Sequence, residues 1–155
     1  MVHDLPKKYS KEIEELIIRF DTLQEERVKT YNTFEEGIKN YIDSGPEYDF
    51  VAYREVVSNV TSEFKRISEE IINIEKNLRD AKVIDIADII LAIQDCEKRK
   101  LQLTVEHHLS RQMVADSDGS DIEKNVEKDL RRKLGKTVEE INEYLTELRY
   151  IIYED

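Results

Sequence analysis

Apolar residues recur at intervals of three and four along most of the chain, which is the spacing of one face of an α-helix. The pattern predicts four long helices, at about residues 10–43, 50–81, 84–114 and 121–154. Helices of about 30 residues reach roughly 45 Å, and short connections oblige neighbours to run antiparallel. The sequence therefore predicts an all-α fold, an up-down antiparallel bundle with coiled-coil-like packing, as a single domain over residues 1–155.

Polar and helix-breaking residues mark the ends of these helices. Ser10 and Asp49 are suited to cap the first and second helices, because their side-chain oxygens accept from free backbone N–H groups. Gly45 and Pro46 end the first helix, since proline denies helical geometry to the residue before it. The small polar residues of segment 115–121 compete with the helix for backbone hydrogen bonds and predict the loop before the last helix.

The last helix carries an irregularity near its middle. Gly135 resembles a stop signal, and Thr137 followed by Glu140 has the spacing of a capping box. We therefore expect a kink or a short break near Gly135.

Charge and composition narrow the classes of partner and the compartment. The formal net charge is −11 over 155 residues, so the overall field repels nucleic-acid phosphates and anionic membranes. Direct nucleic-acid binding is not expected, despite short basic runs at 98–100 and 131–133. No apolar run is long enough to cross a bilayer, and the single cysteine, Cys96, fits a reducing compartment. These features predict a protein of the nucleus or cytoplasm.

Charged residues on the inward stripes predict a polar layer at mid-height of the bundle. Arg27 lies seven residues from both Phe20 and Phe34, on the inward face of the first helix, and Glu97 holds a similar place on the third. A buried arginine needs a partner, so we expect Arg27 and Glu97 to pair, with Thr137 nearby. Such a layer either sets the register of the helices or forms a notch for a partner.

Aromatic residues concentrate around the end of the first helix and the start of the second. Tyrosine buries its ring and leaves its hydroxyl wet, so this group either fills the core and anchors the loop or forms a protein-binding surface. The candidate interaction residues are Tyr31, Tyr41, Tyr48, Asp49, Phe50 and Tyr53.

Catalytic and metal-binding patterns are not evident in the sequence. His107 and His108 are adjacent and diverge by about 100° on a helix, whereas two ligands of one metal usually lie three or four residues apart. The acidic loop 116–121 lacks the order of a calcium-binding loop. We therefore expect no cofactor, no metal and no enzymatic activity.

Several segments resemble the "required for excision" B-domain family. The most specific are the ERVKTYNTFEEG run at 26–37 and the GPEYDF loop at 45–50, and the resemblance extends from about Leu16 to Tyr150. It implies a role in DNA excision repair without a catalytic motif. The positions carried over are Arg27, Tyr31, Phe34, Gly37, Gly45, Pro46, Tyr48, Asp49, Phe50 and Tyr53.

Two functional hypotheses follow. The first is an accessory protein-interaction module whose partners are other proteins, including DNA-repair factors. The alternative is a structural coiled-coil subunit that self-associates as a homodimer or completes a larger complex. Concentration-dependent unfolding or a dimer seen by light scattering would favour the alternative.

Overall fold

The computed structural model describes residues 4–154 and shows a bundle of four α-helices, with no strand among those residues. The helices are α1 (Lys11–Asp43), α2 (Phe50–Asp80), α3 (Ile84–Asp116) and α4 (Asp121–Tyr153). All of these bounds lie within two residues of the predicted ones. The all-α fold with four long helices is therefore confirmed.

Side-chain caps begin the first two helices where the sequence predicts them. The backbone N–H of Ile13 donates to Ser10 Oγ at 3.3 Å, and that of Ala52 donates to Asp49 Oδ1 at 3.1 Å. Each bond satisfies a backbone donor that the start of a helix leaves without a partner. The backbone N–H of Asp49 in turn donates to Ser44 Oγ at 3.0 Å, which closes the turn between α1 and α2.

The helices pack as two antiparallel hairpins, α1 with α2 and α3 with α4. The hairpins meet mainly through α2 and α3, and α4 packs along α3. The start of α1, the connection 81–83 and the end of α4 lie at one end, which we call the proximal end. The turns 44–49 and 117–120 lie at the other, the distal end.

Two hydrophobic clusters fill the bundle. The larger one occupies the proximal half and draws on all four helices, with Leu23 and Ile90 almost fully buried at its centre. The smaller one lies toward the distal end and consists of Phe34, Val60 and Phe64. The polar layer predicted from the sequence falls between them.

α4 continues through Gly135, so the short break considered there does not occur. A Cβ built on Gly135 would meet nothing within 4 Å, which shows that this glycine faces open space. Thr137 caps no new helix, because its hydroxyl donates to the Lys133 carbonyl at 3.1 Å, one turn earlier in α4. A capping-box spacing thus occurs inside a continuous helix.

Two smaller details also differ from the expectations. The helix α3 extends through Ala115 and Asp116, which were assigned to the loop, so the connection before α4 is only 117–120. Val28 precedes Tyr31 and Phe34 at intervals of three, so the apolar pattern predicts that it faces inward, but it is 54% exposed. It follows the buried Arg27 directly, and adjacent helical residues diverge by about 100°.

Candidate functional site

Arg27 and Glu97 lie at the centre of a buried hydrogen-bonded network. Arg27 Nη1 is 3.4 Å from Glu97 Oε2, and both side chains are more than nine-tenths buried. Arg27 also donates to Gln24 Oε1 at 2.8 Å and to Gln94 Oε1 at 2.6 Å. Gln24 Nε2 donates to Glu97 Oε2 at 3.1 Å, and Gln94 Nε2 donates to the Ser68 carbonyl at 3.3 Å. This polar layer therefore joins α1, α2 and α3.

The polar layer does not extend to Thr137, which the sequence suggested as a further member. Thr137 is buried on α4, and its hydroxyl bonds within its own helix. A groove of about 430 Å³ opens over the layer between α2 and α3, and Ile72 and Leu91 are exposed along it. Glu97 Oε1 is buried and accepts no hydrogen bond within residues 4–154, whereas Glu97 Oε2, Arg27 and the two glutamines bond to one another or to the backbone of α2. These bonds favour a role in fixing the register of the helices.

Tyr31 lies beside the polar layer, apart from the other candidate aromatic residues. Its ring centroid is 4.6 Å from that of Phe64 and 4.0 Å from Lys100 Nζ. Burial raises the pKa of the Tyr31 hydroxyl, and the charge of Glu97 raises it further. Burial lowers the pKa of the Lys100 ammonium. Tyr31 precedes Tyr41 by nearly three helical turns, about 15 Å along α1, so it does not belong to the same surface.

The other candidate aromatic residues form a cluster at the distal end. The Tyr41 ring stacks on Tyr48 at 4.8 Å and on Tyr53 at 4.6 Å, and Phe50 meets it edge-on at 5.5 Å. Tyr41 is buried, whereas Phe50 is 60% exposed. Asp49, the remaining candidate, caps α2 beside the cluster. Phe50 therefore offers the most accessible ring of the four.

Hydrogen bonds connect this aromatic cluster to the end of α3. The Tyr48 hydroxyl donates to the Asp116 carboxylate, and Gln112 Nε2 donates to the Tyr41 hydroxyl at 3.3 Å. The bond to Asp116 raises the pKa of Tyr48, and burial raises that of Tyr53. The tyrosines thus fasten the end of α1 and the turn 44–49 to the end of α3.

A second surface lies on the distal halves of α3 and α4. Five large apolar side chains there are between 48% and 75% exposed. This distal apolar face consists of Val105, Leu109, Met113, Ile122 and Val126. The last three line a single hollow of about 80 Å³. Between residues 121 and 136 α4 contributes no buried residue, so it lies on α3 with one apolar edge open to solvent.

The sequence pattern predicts that Val105, Leu109, Ile122 and Val126 face the core, because they keep the three-four spacing of the inward stripes. A usable signal was nevertheless present. Leu103 and Val105 are both apolar and lie two residues apart, so they cannot share one side of α3. Apolar residues on more than the core-facing side of a helix indicate a second contact surface.

The adjacent histidines make separate contacts with neighbouring helices. His107 Nε2 is 2.6 Å from Glu127 Oε2 on α4. The buried His108 ring packs edge-on against Phe34 at 4.4 Å and lies 3.5 Å from Glu35 Oε2. Burial lowers the pKa of His108 to about 4. Within residues 4–154 no three histidine, cysteine, aspartate or glutamate side chains are arranged to hold a metal ion.

None of the helices described in residues 4–154 combines the length and the apolar character needed to span a bilayer.

Comparison with known proteins relates this bundle to a family. The family described as DNA repair REX1-B matches residues 15–111, more than half of the chain. The chain belongs to this family. A "Required for excision 1-B domain-containing protein" of Bos taurus is 31% identical over 141 residues, which cover 89% of this chain and 76% of the relative. A protein of the same description from Mus musculus is 30% identical over 137 residues, covering 87% and 78%. No solved structure matches the chain.

Membership of the family confirms the resemblance drawn from the sequence motifs. Two of the glycines in those motifs lie at close approaches. A Cβ on Gly37 would lie 2.5 Å from Val56 Cγ1, so α1 and α2 come together closely there. A Cβ on Gly45 would lie 2.8 Å from the Tyr48 ring. These motif glycines therefore make room for helix packing and for the aromatic cluster.

Proposed function

We propose that this protein is a non-catalytic accessory module of DNA repair that acts by binding other proteins. The family supplies the association with repair. The observation that carries the proposal of protein binding is the distal apolar face, five large apolar side chains left open on one hairpin. Contiguous apolar surface of this kind commonly marks a protein contact.

Two further observations support the non-catalytic, protein-directed part of the proposal. The buried charged groups of Arg27 and Glu97 bond to each other and to neighbouring glutamines, which holds helices together. The net charge of −11 opposes direct contact with phosphate backbones. In this proposal the protein reaches DNA through its partners, and a nuclear location follows from that role.

The alternative is a structural subunit that covers the distal apolar face with a second copy of itself. In that case the apparent stability would rise with protein concentration. Light scattering across a concentration series, together with unfolding at each concentration, separates the two hypotheses. A constant monomer mass with a constant unfolding midpoint would eliminate self-association.

Complementation of cells that lack the protein tests the leading proposal. The decisive variant is Met113→Ser with Ile122→Ser, which makes the distal apolar face more polar and replaces only exposed residues. The matched control is Ile72→Ser with Leu91→Ser, two exposed apolar residues along the groove between α2 and α3. We expect the first variant to lose partner capture and excision repair, and the control to keep both.

A third variant, Phe50→Ser, measures how much the aromatic cluster contributes to partner capture and excision repair. Each variant must retain the far-UV circular dichroism of the helical bundle. Full repair by the Met113→Ser and Ile122→Ser variant would contradict the proposal. A gel shift with duplex DNA at low salt tests direct binding, for which we expect no shift.

A further inference from the structure

We propose that the distal apolar face binds a basic amphipathic helix of a partner protein. This inference rests on the proposed function and specifies the chemistry of the partner. It is carried by the shape of the face, by the charges around it and by one carboxylate oxygen that lacks a donor.

The shape of the face suits a helix. Val105, Leu109 and Met113 follow one another at intervals of four residues, which makes a ridge about 12 Å long on α3. Ile122 and Val126 form a second, shorter ridge on α4, and Met113 meets both of them at the hollow of about 80 Å³. An amphipathic helix inserts its apolar residues into such a surface at positions i, i+3 or i+4, and i+7, a span of about 10 Å.

The charges around the face select a basic partner. Glu127 and Asp129 pair with the basic run 131–133, which leaves five acidic side chains beside three basic ones between residues 105 and 129. One of those three, Arg111, is already bound to both carboxylate oxygens of Glu35, at 2.6 and 2.8 Å. The exposed carboxylates of Asp116, Asp118 and Asp121 lie at the turn next to the face. A helix with lysine or arginine beside its apolar stripe complements this field.

The Glu123 carboxylate gives a separate reason to expect a cationic group on the partner. It lines the hollow together with Met113, Ile122 and Val126. Its Oε2 is shielded from solvent and accepts no hydrogen bond from any residue in the described range 4–154. A shielded carboxylate oxygen without a donor is unfavourable, so the Glu123 side chain would gain by turning toward a cationic group that a partner brings to the hollow.

The same charges oppose a second copy of this chain as the occupant. A two-fold interface would bring the face of one protomer onto the identical face of the other. Such an interface would bring the acidic turn 116–121 and Glu123 of both protomers into one contact, and gathering like charges there disfavours it. A basic helix meets the same apolar ridges without this repulsion.

A designed peptide pair provides the test with the full chain. The first peptide is helical, with leucine at positions i, i+3, i+4 and i+7 and lysine at the remaining surface positions. The second is identical except that each lysine is replaced by glutamate. We expect the lysine peptide to bind in fluorescence anisotropy, to weaken as salt is raised, and to lose affinity about tenfold with Met113→Ser and Ile122→Ser. The glutamate peptide should not bind.

Variants assign the charged part of the contact. Asp121→Asn with Glu123→Gln should lower the affinity for the lysine peptide several-fold and flatten its salt dependence. The controls Ile72→Ser with Leu91→Ser should bind as the unchanged protein does. Equal binding of both peptides, or binding that is insensitive to the distal variants, would overturn the inference.

This test is separable from that of the proposed function. If Met113→Ser and Ile122→Ser abolish partner capture in cells while the lysine peptide fails to bind the unchanged protein, the proposed function stands and the inference fails. If the same variant leaves capture and repair intact, the proposed function fails. A dimer that dissociates on those substitutions would show that a second copy occupies the face and would overturn the inference.

Discussion

Replacing Arg27 by methionine tests the polar layer most directly. Methionine keeps the length and most of the apolar volume of the arginine stem, so the change removes the charge and the hydrogen bonds more than the packing. It leaves the Glu97 carboxylate buried, with Gln24 as its remaining hydrogen-bond donor. The carbonyl oxygens of Gln24 and Gln94 lose the donor that Arg27 supplies.

The size of the effect follows from the burial of the pair. Breaking a buried ion pair by removing one partner costs about 3–5 kcal/mol, because the other charge stays buried without compensation. Lys100 lies near Glu97 and offsets part of that cost, since its charge acts on the same carboxylate. We therefore expect Arg27→Met to lower the free energy of unfolding by about 3 kcal/mol. For a chain of this size that corresponds to a fall in Tm of roughly 6–12 °C.

Urea unfolding followed by far-UV circular dichroism measures this loss. The matched control is Arg19→Met on the same helix, which breaks the exposed pair between Arg19 and Glu70 and should cost at most about 1 kcal/mol. Adding Glu97→Leu to Arg27→Met removes both charges and should restore stability to within about 1 kcal/mol of the unchanged protein. A loss below about 1 kcal/mol for Arg27→Met alone would refute the reasoning.

Three further predictions follow from single side chains. Gly37→Ala should cost about 1–3 kcal/mol in urea unfolding because its Cβ would press on Val56, whereas Gly135→Ala, in open space, should gain about 0.5–1 kcal/mol. As the pH falls from 6.5 to 4, the titration of His108 should lower the free energy of unfolding by up to about 3 kcal/mol. Burial holds its folded pKa at about 4, below the ordinary 6.5, so the unfolded chain takes up the proton first; His108→Gln should remove that part of the pH profile. Burial also raises the pKa of the Cys96 thiol, so a thiol reagent should label Cys96 slowly in the folded protein and rapidly in urea; equal rates would contradict its burial.

The helices were predictable because their signals are local. Ser10 and Asp49 accept hydrogen bonds from the first turn of the helices that follow them, and such capping depends on residues three apart in sequence. Gly135 and Thr137 show that a local signal does not always end a helix, because α4 continues through both of them. A glycine in a helix costs only about 1 kcal/mol relative to alanine, and the good helix-forming residues around Gly135, with the packing of α4 from Thr137 onward, outweigh this local preference.

The polar layer was partly predictable for a different reason. The seven-residue spacing from Phe20 to Arg27 to Phe34 places Arg27 inside the bundle, and a buried arginine calls for a carboxylate. Spacing does not show that Gln24 and Gln94 join the pair, because glutamine residues also occur on the exposed faces of helices. The separation of Tyr31 from the aromatic cluster could be calculated from the sequence, because a helix rises about 1.5 Å per residue.

The distal apolar face could not be found from spacing alone, since the core and an open face obey the same periodicity. What distinguishes them is the number of helices that surround each position. At the proximal end α4 completes a core with the other three helices, but between residues 121 and 136 it lies only along α3. The side chains of the distal apolar face lie outside both hydrophobic clusters, so the face can be altered without opening the core. Loss of binding with retained stability is for this reason a meaningful outcome for Met113→Ser and Ile122→Ser.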